Sequence, residues 1–184
     1  YSEDPYVAGE MAASFIQGVQ SQQVGTSIKH FYANNQEHRR MSSSSEMSER
    51  TAREIYLAAF ERPVRKAKPW TVMCDYNRIN GVYAADNKEA LTDILRGEWN
   101  FHGFVVSDWG AVNDRVADLE SGMDLEMLSS FGMRDAEIVN AVRCGSLPEA
   151  VLDRAFTRNL RIVQRHLDGR NPVAEFVCDT NHEL

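Results

Sequence analysis

Apolar and polar positions alternate along the chain with two different periods, which predicts short strands and amphipathic helices in turn. Short apolar runs rich in β-branched and aromatic residues predict strands at residues 25–31, 70–76 and 103–109, and a fourth, shorter strand at residues 122–127. Apolar residues at helical spacing predict helices over residues 9–23, 87–99, 111–120 and 135–144. Polar residues without a period predict a long loop at 34–45.

Two further helices are predicted from apolar stripes. One begins after the Ser- and Glu-rich residues 45–49, and the other begins near Pro148. In the first helix the expected core face consists of Ala52, Ile55, Tyr56, Ala59 and Phe60. In the second helix the residues with helical spacing are Leu152, Phe156, Leu160, Val163 and Leu167.

Alternation of strands with helices is typical of βαβ units and a parallel sheet, so the expected fold class is α/β. About four strand–helix units amount to the C-terminal half of a (β/α)8 TIM-type barrel, which is incomplete alone because the full barrel has eight units. A doubly wound open sheet is the structural alternative. Its usual nucleotide-binding form is excluded, since neither GxGxxG nor GxxxxGK[ST] follows any predicted strand.

Composition removes several classes of partner. The 184 residues carry a net charge of −7, which argues against nucleic acid or an anionic membrane surface as the main partner. The three cysteines have no CxxC spacing and the histidines have no HExxH-type spacing, so we expect no metal and no cofactor. The chain begins with Tyr1 rather than Met, and we expect it to be a piece of a longer protein.

Chemically reactive side chains stand at the ends of the predicted strands. Lys29 and His30 end the first, Asp75 and Tyr76 the second, and Asp108 with its neighbour Trp109 the third. Because α/β folds form their sites at the carboxyl ends of parallel strands, these residues are predicted to meet at one rim. Neighbouring residues in a regular strand point to opposite faces, so Lys29 and His30 both reach the rim only if their strand is irregular.

Each candidate also has a purely structural interpretation. Asp108 is equally suited to be the N-cap of the helix that follows it. Trp109 is either a packing residue or a surface on which a sugar ring stacks. Asp124 and Glu126 share one face of the fourth strand, where structural hydrogen bonds are favoured over ligand binding.

Several blocks of the sequence together resemble the barrel domain of glycoside hydrolase family 3, and the loop after KHF is similar to that of its β-glucosidase branch. These blocks, in family order, are SEDPY (2–6), KHFYANNQEHRR (29–40), MCDYNRING (73–81), LTDILRGEWNFHGFVVSDWGA (91–111) and SGMDLEM (121–127).

The resemblance implies a role for each matching residue. Asp108, in the SDW block, corresponds to the catalytic nucleophile, and Trp109 to the residue that lines the glucosyl subsite. Lys29 and His30 correspond to residues that hydrogen-bond sugar hydroxyls. Substrate-binding positions near the nucleophile fall on Tyr76 and Met73, and Arg40 matches a recurring Arg of the loop. The chain departs from the family at Asp75, where a small residue is more usual.

The implied activity is that of a retaining β-glucosidase, which hydrolyses terminal β-D-glucosyl residues through a covalent intermediate on Asp108. Residues 1–168 would be part of the barrel domain, and residues 169–184 a linker toward an absent second α/β domain that supplies the general acid/base. The substrate partner would be a β-glucoside or oligosaccharide, and the piece would be inactive alone. Alternatives are a β-xylosidase or exo-β-glucanase of the same family, or a non-catalytic carbohydrate-binding barrel.

Overall fold

The structure, a computed structural model, describes residues 1–169, so the predicted linker lies outside the described residues except for Gly169. The strands of this part are β1 (Ser27–Phe31), β2 (Ser44–Ser45), β3 (Thr71–Cys74), β4 (Arg78–Ile79), β5 (Val82–Tyr83) and β6 (Phe104–Val106). The α-helices are α1 (Pro5–Gln20), α2 (Glu49–Thr51), α3 (Ala58–Ala67), α4 (Arg115–Ser121), α5 (Met133–Arg143) and α6 (Glu149–Gly169). A first π-helix, Ala52–Tyr56, joins α2 to α3, and a second, Glu89–Glu98, precedes β6.

The main sheet is parallel, with β3 in the centre and the order β1–β3–β6, which confirms the predicted α/β class. The predicted fourth strand is reduced to a single parallel bridge between Leu125 and Val106. Within the main sheet, neighbouring strands therefore lie in the order in which they occur along the chain. Gly103 allows β6 to pack closely, because a Cβ at this position would lie 2.0 Å from the carbonyl oxygen of Trp70.

A smaller sheet stands beside the main one and contains the predicted NRING turn. Strand β2 pairs in parallel with β4, and β4 pairs antiparallel with β5. Asn80 and Gly81 join β4 to β5 with φ values of 48° and 87°, the left-handed conformation that two-residue hairpin turns require. This hairpin ties the loop after β1 to the segment after β3.

The first π-helix changes the predicted core face of its segment. The N–H of Leu57 donates to the carbonyl of Ala52, five residues back, so this turn contains one residue more than an α-helical turn. Ala52 is buried as predicted, but Ile55 is 47% exposed, and Leu57 is buried at 2%. The regular 3.6-residue spacing assumed from the sequence was therefore wrong at Ile55.

Three apolar clusters form the core of the described residues. The largest surrounds β3 and includes Leu91 and Leu95 of the second π-helix, both fully buried. The second joins α4, α5 and α6 through Leu119, Ile138 and Ala155. The third lies between α1 and α3 and contains Ala13, Ile16 and Ala67.

The long last helix, α6, begins after Pro148 as predicted, but most of its apolar stripe is on the surface. Ala155 is its buried residue, whereas Phe156, Leu160, Val163 and Leu167 are each at least half exposed. Helical spacing thus predicted the helix correctly without identifying the face that packs against the described residues. Among residues 1–169, no helix is both long and apolar enough to cross a membrane.

Candidate active site

The carboxyl ends of β1, β3 and β6 lie at one edge of the parallel sheet, where the sequence places its reactive side chains. Phe31 pairs with Cys74, and Met73 pairs with Val106, so the residues that follow each strand are neighbours across the edge. His30 lies in β1, one residue before the last residue of the strand, Phe31. Asp75 and Tyr76 follow β3, and Asp108 follows β6 after one residue.

Asp108 is oriented by two contacts and is 7% exposed. Its Oδ1 accepts a hydrogen bond from the N–H of Trp109 at 2.7 Å, and its Oδ2 lies 3.1 Å from Nε2 of His30. The helix cap is a different residue: Asp114 accepts from the N–H groups of Val116 and Ala117 and begins α4. The interpretation of Asp108 as an N-cap is therefore wrong.

Strand β1 has the irregularity that Lys29 and His30 require. Ile28 pairs with Val72 and Phe31 pairs with Cys74. Between these two pairs the chain advances three residues in β1 but only two in β3. The extra residue makes β1 irregular between these pairs, and such an irregularity re-aims side chains relative to a regular strand. The imidazole of His30 reaches Asp108, while Lys29 is exposed and forms no ion pair with any residue in 1–169.

Tyr76 and Met73 are both buried beside this edge, at 6% and 8% exposure. Burial raises the pKa of the Tyr76 phenol, and the neighbouring Asp108 carboxylate raises it further. The guanidinium of Arg40 lies 4.4 Å from the centre of the Tyr76 ring and pairs with Glu37 at 2.7 Å. The loop after β1 therefore folds back over the residues that follow β3.

Trp109 is 49% exposed, so its indole is free to present a flat apolar surface next to Asp108. The structure thus brings His30, Tyr76 and Asp108 together at one edge. Lys29 and Trp109 are both exposed, and no ion pair or side-chain hydrogen bond to another residue of 1–169 defines their roles.

Asp75 is a residue of this edge that the sequence left unassigned. It is 1% exposed, and its Oδ1 accepts from the N–H of Tyr76 at 2.8 Å. Burial raises the pKa of the Asp75 carboxyl, and a hydrogen bond from the side chain of Asn34 is among the effects that lower it. The sequence indicated that Asp75 ends a central strand, but it did not indicate which groups its side chain contacts.

Asp124 holds the surrounding elements together and is not part of the open edge. Its carboxylate accepts from Arg96 at 2.5 Å, from Arg158 at 2.8 Å and from the N–H of Val105 at 2.8 Å. Burial lowers the pKa of Arg96 to about 10, although Asp124 opposes this shift. Glu126 pairs with Arg134 at 2.5 Å. The structural interpretation of Asp124 and Glu126 accounts for these contacts.

The arrangement is suited to chemistry at a carboxylate. A buried carboxylate fixed by one backbone N–H and one imidazole, with a phenol nearby, can attack an electrophilic carbon or stabilise a positive charge that forms next to it. The exposed indole beside it provides apolar area of the kind that packs against a sugar ring.

Comparison with known proteins gives a consistent family assignment. Residues 1–162 match the model described as glycosyl hydrolase family 3 N terminal domain. The whole chain is 53% identical to 24% of the thermostable β-glucosidase B of Acetivibrio thermocellus. Over 84% of its length it is 56% identical to 20% of an exo-α-(1→6)-L-arabinopyranosidase of Bifidobacterium breve.

A solved structure agrees with this assignment. The β-glucosidase 3B of Thermotoga neapolitana in complex with glucose superposes with a TM-score of 0.87 at 46% identity, over 92% of this chain and 25% of that one. The chain therefore spans about a fifth to a quarter of the length of the proteins it matches.

Proposed function

The chain belongs to glycoside hydrolase family 3, and from this premise we propose that it carries the nucleophile of a retaining β-glucosidase. The observation that carries the proposal is the placement of Asp108. Its carboxylate is buried at the end of β6, faces His30 and the N–H of Trp109, and leaves the capping of α4 to Asp114.

In the proposed reaction, the Asp108 carboxylate attacks the anomeric carbon of a terminal β-D-glucosyl residue and forms a covalent glycosyl-enzyme ester. A general acid protonates the departing oxygen, and a water molecule then hydrolyses the ester with the same group acting as base. We place that general acid outside this chain, in a second domain. Lys29 and His30 would hydrogen-bond sugar hydroxyls, Trp109 would pack on the sugar, and Tyr76 and Met73 would line the pocket around the nucleophile.

The proposed architecture is the C-terminal half of a (β/α)8 barrel within residues 1–168. The support is the order of the strands: β1, β3, β6 and the Leu125 bridge follow one another in the sheet as they do in the chain. A doubly wound sheet reverses its strand order at a switch point. Closure of the barrel would then require strands from other parts of the full-length polypeptide.

A covalent trap tests the nucleophile. The full-length gene product that contains this chain is treated with a 2-deoxy-2-fluoro-β-glucoside, and peptides are examined by mass spectrometry. The proposal expects an adduct on the peptide containing Asp108 and its loss in Asp108→Asn. Asp114→Asn is the matched control, since it makes the same change of side chain at the cap of α4, six residues away, and should still be labelled. Sugar binding without an adduct would favour the non-catalytic alternative.

The substrate has a second candidate, because one of the relatives is named for an α-L-arabinopyranoside bond. We propose a β-glucoside as the first candidate substrate, since a relative that matches over the whole chain is named a β-glucosidase. Initial rates of the full-length product on aryl β-D-glucoside, β-D-xyloside and α-L-arabinopyranoside would rank them. A kcat/KM that is highest for the arabinopyranoside would replace our assignment.

We also propose that residues 1–184 are inactive alone, because we place the general acid outside them and the loss of such a group costs about 10²- to 10⁴-fold in rate. The assay is hydrolysis of an aryl β-glucoside by the isolated chain and by the full-length product at equal molar concentration. Equal turnover by both would contradict the proposal.

A further inference from the structure

Ser107 directly precedes Asp108 and has no role in the reaction described above. It follows the last residue of β6, Val106, and is fully buried. Its backbone N–H donates to the carbonyl of Leu125 at 2.9 Å, next to the parallel bridge between Val106 and Leu125. The residue before the proposed nucleophile is therefore still held by the sheet.

The hydroxyl of Ser107 forms two hydrogen bonds with the backbone of a single residue. Its Oγ accepts from the N–H of Met127 at 2.8 Å and donates to the carbonyl of Met127 at 3.0 Å. In a regular parallel ladder this N–H would donate to a backbone carbonyl of the neighbouring strand. Here the serine side chain takes the place of that carbonyl, at the point where the chain leaves the sheet to form the site.

Met127 also holds the chain on the other side of Asp108. Its carbonyl accepts from the N–H of Gly110 at 2.9 Å, and the N–H of Ala111 donates to the carbonyl of Asp108 at 3.1 Å. Residues 107–111 thus form a turn that is attached to Met127 both before and after Asp108. The attachment before Asp108 depends on the Ser107 side chain.

The position of this turn sets the position of the Asp108 carboxylate. One of its two contacts, the 2.7 Å bond from the N–H of Trp109, lies within the turn and moves with it. The other, the 3.1 Å approach of Nε2 of His30, comes from β1 and does not. A displacement of the turn would therefore move the carboxylate away from His30 and out of line with a bound sugar.

We propose that Ser107 is a positioning residue of this site, which holds the Asp108 carboxylate in line for attack by fixing the turn to Met127. The inference rests on the proposed function, in which Asp108 is the nucleophile. The hydroxyl is buried and bonded to Met127, so it acts on the reaction through Asp108 alone. Misplacing a reacting group by about 1 Å costs on the order of 10²-fold in rate.

The test isolates the attack by Asp108 in the full-length product. The reagent is 2-deoxy-2-fluoro-β-D-glucosyl fluoride, with which the carboxylate forms a C–O bond as the C–F bond breaks and fluoride leaves. Saturation kinetics separate the inactivation rate constant from the dissociation constant of the reagent. Ser107→Ala should lower the rate constant by about 10²-fold and leave the dissociation constant unchanged.

Ser121→Ala is the matched control, because it removes a hydroxyl with similar surroundings elsewhere in the fold. Ser121 is 2% exposed, and its Oγ donates to the carbonyls of Ala85 and Asp118 at 2.5 and 2.7 Å. Both alanine variants should lower the melting temperature, but Ser121→Ala should keep the wild-type inactivation rate constant. Ser107→Cys serves if Ser107→Ala does not fold: it fills a similar volume with a weaker hydrogen-bonding group, and its rate constant should lie between those of wild type and alanine.

Three results would overturn the inference: an unchanged rate constant in the folded Ser107 variants, an equal fall in Ser121→Ala, or weaker binding of the reagent at an unchanged rate constant. If the wild-type product is not inactivated and carries no adduct on Asp108, the proposed function fails instead.

A second measurement does not depend on turnover. Amide hydrogen exchange of the peptide that covers residues 107–111 is followed by mass spectrometry in the same full-length variants. Exchange should be about fivefold faster in Ser107→Ala, as expected for the loss of one hydrogen bond, and unchanged in Ser121→Ala. Wild-type exchange of this peptide in Ser107→Ala would show that the hydroxyl does not fix the turn.

Discussion

Asp86 and Asp118 place two carboxyl groups against each other inside the protein. Both oxygens of Asp118 and Oδ1 of Asp86 are buried, and none has a donor among the described residues. Burial raises the pKa of Asp118 to about 9, and the hydrogen bond and charge of Asp86 add to this effect. Asp118 is therefore held as a neutral acid at pH 7, and its proton satisfies the carboxyl group that faces it.

This assignment predicts a pH-dependent stability. The unfolded chain ionises Asp118 near 3.9, so its favourable contribution is complete below about pH 4 and is lost as the pH rises toward 9. Asp118→Asn cannot ionise and should raise the free energy of unfolding at pH 8 by on the order of 2 kcal/mol, with no gain at pH 4. Urea unfolding of the 184-residue chain at both pH values measures this. Asp93→Asn, a substitution at an exposed residue, is the control. A gain in the free energy of unfolding of Asp118→Asn that does not depend on pH would contradict the prediction.

At the scale of single elements, hydrogen-bond register decides which side chains reach the core. The N–H of Leu57 donates to the carbonyl of Ala52, five residues back, so this turn is wider than an α-helical turn and its side chains point in different directions. As a result Leu57 lies in the core and Ile55 is on the surface. Sequence periodicity assumes one constant pitch and cannot locate such a turn.

The register shift predicts unequal effects of two alanine substitutions. Leu57→Ala should lower the free energy of unfolding by about 2–5 kcal/mol because it leaves a cavity in the main cluster. Ile55→Ala should change it by about 0.5 kcal/mol or less, as expected for a surface side chain. Chemical denaturation of both variants under one condition is the measurement. A larger cost for Ile55→Ala than for Leu57→Ala would mean that the segment is a regular α-helix.

Across the whole molecule, Asp124 joins elements that are far apart in the chain. Arg96 comes from the second π-helix, Val105 from β6 and Arg158 from α6, and all three donate to this one carboxylate. The side chain of Asp124 has no exposed surface, while those of Arg96 and Arg158 are 9% and 21% exposed. The contact thus links α6 to the sheet that carries the site.

Loss of this carboxylate should destabilise the fold strongly. Asp124→Asn leaves two largely buried guanidinium groups without a counter-charge, and we expect a loss of about 3–5 kcal/mol. Glu98→Gln breaks an ion pair with Arg53 at 2.8 Å whose side chains are 44% and 38% exposed, and should cost about 1 kcal/mol or less. Thermal unfolding of the two variants compares them, and a similar cost for both would refute the role of Asp124.

The predicted fold was most accurate where local pattern and tertiary packing agree. The three main strands, the helix after Pro148 and the clustering of His30, Tyr76 and Asp108 at one edge followed from apolar runs and from the rule that parallel strands end together. The exposed stripe of α6 departed from expectation, because spacing indicates an apolar face without indicating what covers it.

The sequence by itself determined the order of the three main strands and of the helices between them, the family and the identity of the residues at the strand ends, because these depend on local pattern and on short motifs. Only the tertiary structure decided that Asp114 and not Asp108 caps α4, that His30 contacts Asp108 from an irregular part of β1, and that Asp75 is buried. The physical reason is that hydrogen bonding and desolvation depend on distances between segments far apart in the chain, and one-dimensional spacing does not contain those distances.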